Sequence, residues 1–275
     1  MCMCKCKNSC DKQTLLYCSH MPPLQVMSVT ELKCDTENNI HINIMPPLKV
    51  NMALKTEDTG KMFEMAICLA YGIQYDGPFK YSMELPETLK PRLYKLLELF
   101  PKCSHTAKKG SRYDYTDVSD ETRHLSAKST KKGVGKVAPQ VIGQSNPKKF
   151  CDIIGIEYTT IPDIKKYIQT EIVKIAPILV RYTFDCPNIY YNQDENTIRY
   201  ITLNTPIEWD NYSFRWTNGW EKWRNSSTLK VIIEEKEIAL LEFQFHTKSR
   251  NNMAIRWCYE NFLNVFKDNL SIISL

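Results

Sequence analysis

The sequence predicts an α/β protein in which a mixed sheet flanked by helices is followed by a β-rich C-terminal lobe. Three observations support this class. Apolar residues recur at helical spacing over 58–71, and two segments, 110–118 and 124–130, alternate as the strands of a hairpin. After Tyr182 the composition shifts towards Tyr, Trp, Asn and Thr. A length of 275 residues suits one large domain or a domain with an added lobe.

The helices of the central region are predicted from their apolar spacing. Residues 58–71 form the first helix behind an Asp or Thr cap, and residues 91–100 form the second, because proline is tolerated in a first turn. Two further helices are predicted within 161–179, and Pro177 is expected to end the second of them. This pattern assigns 51–180 to an α/β core.

The lobe, residues 181–275, is predicted to consist mainly of strands. Alternating runs occur at 197–203 and 227–235, and the segments 237–246 and 253–257 read as a hairpin. An amphipathic helix over 259–266 follows. The lobe is expected to be continuous with the core rather than a separate body.

The composition indicates a folded protein that stays inside the cell. Hydrophobic residues make up 43% of the chain and charged residues 24%. No apolar run approaches the length of a membrane helix, and the N-terminus lacks a signal peptide pattern, so we expect an intracellular, cytoplasmic location. The 11 cysteines are an odd number, which favours reduced thiols over a disulfide framework.

Residues 1–50 are predicted to form a separate arm or cap that is rich in cysteine. Thiolate and imidazole ligands suit tetrahedral Zn²⁺, but paired CxxC spacing is missing. A structural zinc site and a reduced arm without metal therefore both remain open. The ligands of the zinc alternative are Cys4, Cys6, Cys10, Cys18, His20 and Cys34.

Positive charge is concentrated in the middle of the chain. Residues 102–149 contain 11 lysines and arginines against 4 acids, although the whole chain carries only +5. A basic stretch that encloses a few carboxylates suits a polyanionic backbone together with a divalent cation. A solvated charged loop explains the charge equally well.

A pattern within this basic stretch predicts phosphodiester chemistry. Asp114 lies on the first strand of the predicted hairpin, and Ser126 and Lys128 share one face of the second. Hydrolysis of a phosphodiester needs an oxygen-bound divalent cation, for which Asp114 is the anchor, and a lysine that stabilises the transition state. Asp117 is an alternative anchor at a similar spacing.

This arrangement resembles the PD-(D/E)XK nucleases and, among them, the type II restriction endonucleases. The likeness covers residues 56–150 and includes Glu64 on a helix upstream, the basic SAKSTKKG and the following KVAPQVIGQ. It departs from the family pattern at Ser126, where an acid is commonest. The resemblance implies catalytic roles for Asp114, Lys128, Glu64 and Ser126, with Mg²⁺ held by Asp114, Glu64 and the Ala127 carbonyl.

The resemblance also implies a restriction-endonuclease-like core, double-stranded DNA as substrate, a homodimer and a companion DNA methyltransferase. Gln and Asn pair with adenine, Arg with guanine and Lys with phosphate. The expected DNA contacts are Lys131, Lys132, Lys136, Gln140, Gln244, His246, Lys248, Arg250, Asn251, Asn252 and Arg256. Arg224 and Asn225 are additional candidates, and Glu242 with Gln244 forms an alternative acid-x-Gln metal site.

Other chemistries are disfavoured by missing motifs. The chain has no GxGxxG or GxxxxGK[ST] loop, no HExxH and no serine nucleophile elbow. Two alternatives to a restriction enzyme stay open. One is a repair or structure-specific nuclease on the same core, and the other is a non-catalytic DNA-binding protein that contains zinc.

Overall fold

Two β-sheets organise the larger part of the protein. The computed structural model describes residues 56–77, 82–107, 111–246 and 252–275, together with two short strands, β1 (Leu32–Cys34) and β2 (Ile40–Ile42). β1 and β2 pair antiparallel within a unit that spans Met1–Ala53. All other described elements belong to a second unit, Leu54–Leu275.

The elements of the second unit confirm the predicted α/β class. The helices are α1 (Thr56–Tyr71), α2 (Glu84–Leu89), α3 (Tyr94–Leu99), α4 (Pro147–Ile154), α5 (Ile161–Thr170), α6 (Ile172–Thr183) and α7 (Tyr259–Val265). The strands are β3 (Cys103–His105), β4 (Tyr115–Asp117), β5 (His124–Thr130), β6 (Lys136–Val137), β7 (Asn188–Asn192), β8 (Thr197–Leu203), β9 (Ser213–Trp216), β10 (Ser226–Ile233), β11 (Lys236–His246), β12 (Asn252–Cys258) and β13 (Leu270–Ser274). Short 3₁₀ turns lie at 90–93, 142–144, 209–211 and 267–269.

The first sheet is mixed and has six strands in the order β13-β8-β7-β5-β4-β3. β5 and β7 run parallel, and every other pair in this sheet is antiparallel. The parallel pair requires a crossover, which α4, α5 and α6 provide. Strands from before and after residue 180 therefore share this sheet.

The two faces of β5 pack against different parts of the protein. Leu125 and Ala127 face α1, where Leu125 joins a core with Phe63 and Ile67. Because side chains alternate along a strand, Ser126 and Lys128 face the other side. The helix α1 forms because its apolar residues recur at helical spacing, and it buries this stripe on the sheet.

The second sheet is antiparallel and has five strands in the order β6-β12-β11-β10-β9. Its inner face is apolar and includes Leu229, Phe243, Ile255 and Trp257, each fully buried. α5 and α6 contribute to the same core. Its outer face is polar, as the alternation of β10, β11 and β12 predicts. Strands of the predicted lobe thus enter both sheets.

Pro177 does not limit α6 in the way expected from sequence. The helix continues to Thr183, with Pro177 exposed on its outer side. Since a proline inside a helix removes one N–H donor, the carbonyl of Val173 loses its helical partner. The exposed position lets water take that place.

A short connection joins the two sheets. Residues 131–135 lead from β5 directly into β6, and they carry Lys131 and Lys132. Gly135 has a φ of 55°, and a Cβ at this position would lie 2.9 Å from the hydroxyl oxygen of Tyr190. The carbonyl groups of Gly135 and Val134 accept the N–H groups of Tyr259 and Glu260 at 3.0 and 3.2 Å.

No helix in the described segments is long and apolar enough to cross a membrane.

Candidate active site

Three of the predicted site residues meet on one face of the six-stranded sheet. Asp114 immediately precedes β4, and its Oδ2 accepts hydrogen bonds from Ser126 Oγ at 3.0 Å and from the Ala127 N–H at 2.7 Å. Ser126 is fully buried. Lys128 is partly exposed and lies two residues further along β5, on the face of Ser126. The structure therefore places Asp114 and Ser126 in contact and Lys128 on the same face of β5.

The register of the β4–β5 hairpin explains this proximity. Tyr115 pairs with Leu125, so the preceding residue, Asp114, falls opposite Ser126. The turn between the strands is held by the side chain of Asp120, which accepts two hydrogen bonds within the turn, at 2.6 and 2.9 Å. Turn geometry fixes the register of a hairpin and so decides which aspartate faces Ser126.

Asp117, the alternative anchor, has a different role. It is 4% exposed, and its carboxylate accepts the Ser119 N–H at 2.7 Å and Arg123 Nη1 at 3.1 Å. Both partners belong to the hairpin turn, at the end of β4 remote from Asp114. The geometry therefore favours Asp114 as the anchor and gives Asp117 a structural role in the turn.

Glu64 lies away from this group. Its buried carboxylate accepts two hydrogen bonds from Lys61, at 2.8 and 2.9 Å, and lies 3.6 Å from Nε2 of His105. Glu64 belongs to α1, which covers the face of β5 opposite to Lys128. Within the described segments, no group of three or more His, Cys, Asp or Glu side chains is arranged to hold a metal ion. The structure thus places Glu64 on the side of β5 opposite to Ser126 and Lys128.

The oxygen atoms near Asp114 nevertheless fit a hard cation. Oδ2 is used by Ser126 and Ala127, and no described residue bonds Oδ1. Because the N–H of Ala127 points towards Asp114, its carbonyl is directed to the same side of β5. A carboxylate oxygen, a backbone carbonyl and a hydroxyl are ligands that Mg²⁺ accepts, with water completing the set.

Gln140 lies inside the protein rather than on a DNA-facing surface. It is 7% exposed, its Nε2 donates to Sγ of Cys186 at 3.7 Å, and its Oε1 has no hydrogen-bond partner among the residues that the structure describes. Burial first, and then the carboxylate of Asp185, raise the pKa of Cys186 to about 12. The charges of Lys128 and Asp114 contribute smaller opposing shifts, so Cys186 and Gln140 adjoin the site.

A ladder of stacked side chains leads into Asp114. The Tyr113 ring stacks on His124 with a centroid distance of 3.7 Å and an angle of 7°. The Arg112 guanidinium lies 5.4 Å from the Tyr113 centroid and 5.1 Å from that of Tyr182, and its Nη2 is 2.6 Å from Asp185 Oδ2. From sequence, Arg112 counts as one charge of the basic segment, because Tyr182 and Asp185 are distant from it in the chain.

This ladder fixes the backbone on which Asp114 depends. The Tyr113 carbonyl accepts the hydroxyl groups of Ser111 and Thr106 at 2.7 and 3.3 Å, and the Asp114 carbonyl accepts the Thr106 N–H at 2.9 Å. Burial, followed by the nearby Asp185 carboxylate, raises the pKa of the Tyr113 phenol. The segment before β4 is therefore held by both its rings and its peptide groups.

The outer face of the second sheet carries paired charges. Glu242 accepts Lys136 Nζ at 2.9 Å and lies 3.4 Å from Nη2 of Arg256, which also donates to Gln244 Oε1. The Glu242 carboxylate is thus compensated by two cations. Little negative charge therefore remains for a metal ion at the alternative acid-x-Gln site. The same contacts place the predicted DNA contacts Lys136, Gln244 and Arg256 on one surface.

Other predicted contacts gather at one end of this sheet. His246 pairs with Asn252 at the end of the β11–β12 hairpin, and the carbonyl of Asn225 accepts the Phe245 N–H at 2.8 Å. Asn225 and its neighbour Arg224 therefore lie beside the hairpin. Several predicted site residues fall outside the described backbone or side chains: Lys248, Arg250, Asn251, Cys4, Cys6, Cys10, Cys18, His20 and Cys34.

Comparison with known proteins adds one relationship. No family model and no solved structure matches the chain. The chain is, however, similar in sequence to a type II restriction enzyme. That relative is CviAII of Paramecium bursaria Chlorella virus 1, and the two are 41% identical over 225 residues, which are 81% of this chain and 64% of the relative. The chain therefore spans just under two thirds of the relative's length.

Proposed function

We propose that this protein is a type II restriction endonuclease that hydrolyses phosphodiester bonds at a specific sequence in double-stranded DNA, with Mg²⁺ as cofactor. The observation that carries the proposal is the contact of Asp114 with Ser126 and Ala127 beside Lys128. These residues lie in the stretch that resembles PD-(D/E)XK nucleases. The similarity to a type II restriction enzyme supports the same reaction class.

In this proposal each site residue has a separate task. Bound Mg²⁺ supplies Lewis acidity at the phosphate and lowers the pKa of an attacking water. Asp114 and the Ala127 carbonyl would hold the ion, and the hydroxyl of Ser126 orients the aspartate through its bond to Oδ2. Lys128 stabilises the charge that develops on the phosphate.

The single carboxylate predicts weak binding of the cation in the absence of DNA. Affinity for hard cations depends on the number of charged ligands, and Ser126 adds no charge. Glu64 does not supply the missing charge, because it lies on the other side of the sheet and its carboxylate is paired with Lys61. We therefore expect that the scissile phosphate itself completes the site, and that Mg²⁺ binds tightly only when duplex DNA is present.

Target recognition is assigned to the second sheet and the connection that leads to it. Gln244, His246, Asn252 and Arg256 are proposed to read base edges, and Lys131, Lys132 and Lys136 to contact phosphates. A homodimer would match a palindromic target, because protein symmetry then mirrors sequence symmetry. Such an enzyme requires a companion DNA methyltransferase that protects the genome of its source.

One digestion tests the reaction class. Long unmodified duplex DNA is incubated with the protein in Mg²⁺ and, separately, in EDTA, and the fragment ends are sequenced. We expect discrete fragments with one common end sequence in Mg²⁺ alone. A smear of random ends points to a repair or structure-specific nuclease, and intact DNA with measurable binding refutes nuclease function.

Three substitutions and one control test the site itself. Asp114→Asn and Lys128→Ala are expected to abolish cleavage and to leave duplex binding in EDTA measurable. Asp117→Asn is the matched control, because it neutralises an aspartate three residues away that serves the hairpin turn. Glu64→Gln is also expected to cleave. Full activity of Asp114→Asn, or loss of activity in Glu64→Gln with its fold intact, contradicts the assignment.

A further inference from the structure

Three segments meet at one end of the five-stranded sheet. The carbonyl of Ser145, just before α4, accepts the Met253 N–H of β12 at 2.8 Å. The carbonyl of Asn225, at the end of the β9–β10 loop, accepts the Phe245 N–H of β11 at 2.8 Å. Phe245 and Met253 are cross-strand partners. The start of α4 and the β9–β10 loop therefore flank the same hairpin.

The orientation of α4 directs two lysines away from the protein. Phe150 and Cys151 are fully buried in the core, so the exposed Lys148 and Lys149 point to solvent. The Asn146 side chain caps the helix by accepting the Lys149 N–H at 2.9 Å. The two ammonium groups are thus carried on a helix whose backbone is fixed.

The β9–β10 loop carries a third cation and is also fixed. Lys165 of α5 is buried, and its Nζ donates to the carbonyl groups of Trp223 and Arg224 at 2.7 and 2.9 Å. Gln169 Nε2 donates to the Asn218 carbonyl at 2.7 Å. These bonds use backbone carbonyls, so they hold the loop in place and leave the exposed Arg224 side chain available.

These three cations differ from those on the outer face of the sheet. Lys136 and Arg256 are compensated by Glu242. In contrast, no carboxylate of a described residue lies within 4.0 Å of the charged groups of Lys148, Lys149 or Arg224. Uncompensated cations on a rigid backbone suit a partner that carries regularly spaced negative charge.

We propose that Lys148, Lys149 and Arg224 form a phosphate-binding surface that holds the backbone of duplex DNA at the end of the β11–β12 hairpin. The proposal rests on the proposed function, because it takes DNA as the substrate of the same protein. His246 and Asn252 pair at the end of the hairpin, between the two flanking segments. The lysines and the arginine set affinity and position, and they carry no sequence preference.

The salt dependence of DNA binding tests this surface. Each phosphate neutralised contributes about 0.9 to the slope of log K against log salt concentration. The affinity of a duplex that contains the cleavage site, and of one that lacks it, is measured by fluorescence anisotropy in EDTA between about 50 and 200 mM salt. We expect the slope to fall by about 1.8 in Lys148→Ala/Lys149→Ala and by about 0.9 in Arg224→Ala, equally for both duplexes.

Lys236→Ala/Lys267→Ala is the matched control. Both lysines are exposed, and Lys236 lies at the opposite end of β11. The control slope should equal that of the unchanged protein. A slope that is unaltered in Lys148→Ala/Lys149→Ala, or a protein that does not bind duplex DNA, overturns the inference. Binding that depends on these lysines without cleavage in Mg²⁺ refutes the nuclease proposal alone.

Discussion

A buried ion pair behind the connection between the sheets gives the sharpest prediction about stability. Glu260, at the start of α7, accepts Asn192 Nδ2 at 2.7 Å and Arg199 Nη2 at 2.5 Å. The side chains of Glu260 and Arg199 are only 10% and 15% exposed, and the Arg199 guanidinium lies 5.3 Å from the Tyr190 ring centroid. Removal of Glu260 therefore leaves a cation in a poorly hydrated place.

The expected cost of Glu260→Ala follows from these contacts. Loss of one partner of a buried ion pair costs about 3–5 kcal/mol. Glu195 lies 3.5 Å from Arg199 and is half exposed, so it retains part of the compensation. We therefore expect a loss of about 3 kcal/mol, which corresponds to a fall of about 1 M in the urea midpoint for an m value of about 3 kcal/mol/M.

Equilibrium unfolding in urea, followed by circular dichroism, measures this loss. Glu195→Ala is the control, because the same cation loses only an exposed partner, and less than about 1 kcal/mol is expected. Arg199→Met combined with Glu260→Ala should recover part of the stability, since no unpaired charge remains. Equal effects of Glu260→Ala and Glu195→Ala refute the reasoning.

Three further predictions concern the site and its surroundings. Ser126→Ala removes a hydrogen bond to a carboxylate, and we expect cleavage to slow about 10-fold with unchanged duplex affinity; an unaltered rate contradicts its orienting role. Arg112→Lys keeps the charge but cannot stack on two rings, so its cleavage rate should fall as far as that of Arg112→Ala, and a normal rate would argue against stacking. Burial raises the pKa of Cys68, Cys103 and Cys186 to about 12. At a pH above the ordinary pKa of a thiol, these groups therefore lose their protons when the protein unfolds. Stability is thus complete below pH 9 and declines towards pH 12, by about 1 kcal/mol per thiol at pH 10, which urea unfolding at pH 8 and pH 10 measures.

Local sequence patterns predicted the strands of the site because alternation and turn residues are local signals. The predicted returning strand and β5 both cover 124–130, and the hairpin segments 237–246 and 253–257 lie in β11 and β12. The strand predicted from residue 110 is shorter, since only Tyr115–Asp117 pairs as β4. Of the residues before it, Tyr113 stacks on His124, and Arg112 contacts Tyr182 and Asp185, which are distant in the chain.

Properties that depend on packing were out of reach from sequence. Whether Asp114 or Asp117 faces Ser126 depends on the length of the hairpin turn, which a residue pattern leaves open. The side of the sheet that carries Glu64 depends on how α1 docks, and helical spacing is the same for either side. The burial of Gln140 likewise follows from contacts with Cys186, far along the chain.

The membership of the strands in the two sheets also depends on long-range pairing. β7, β8 and β13 follow the basic segment in sequence, yet they extend the sheet that holds β5. The aromatic segment 216–227 suits either base stacking or a core, and its tryptophans divide between the two: Trp223 is 2% exposed and Trp216 packs against the core, whereas Trp220 is 36% exposed. Aromatic residues alone do not distinguish these two outcomes before the layers are known.

The connection at 131–135 is short enough to couple the positions of the two sheets. Lys128 sits two residues before the end of β5, and β6 begins as soon as the connection ends. The backbone bonds to Tyr259 and Glu260, together with the close fit of Gly135 against Tyr190, leave this linkage little freedom to act as a hinge. In an enzyme of the proposed kind, a displacement of the five-stranded sheet on target binding would be transmitted through this connection to β5, the strand that carries Lys128. We therefore expect discrimination between targets to depend on the position of Lys128 as well as on the strength of binding.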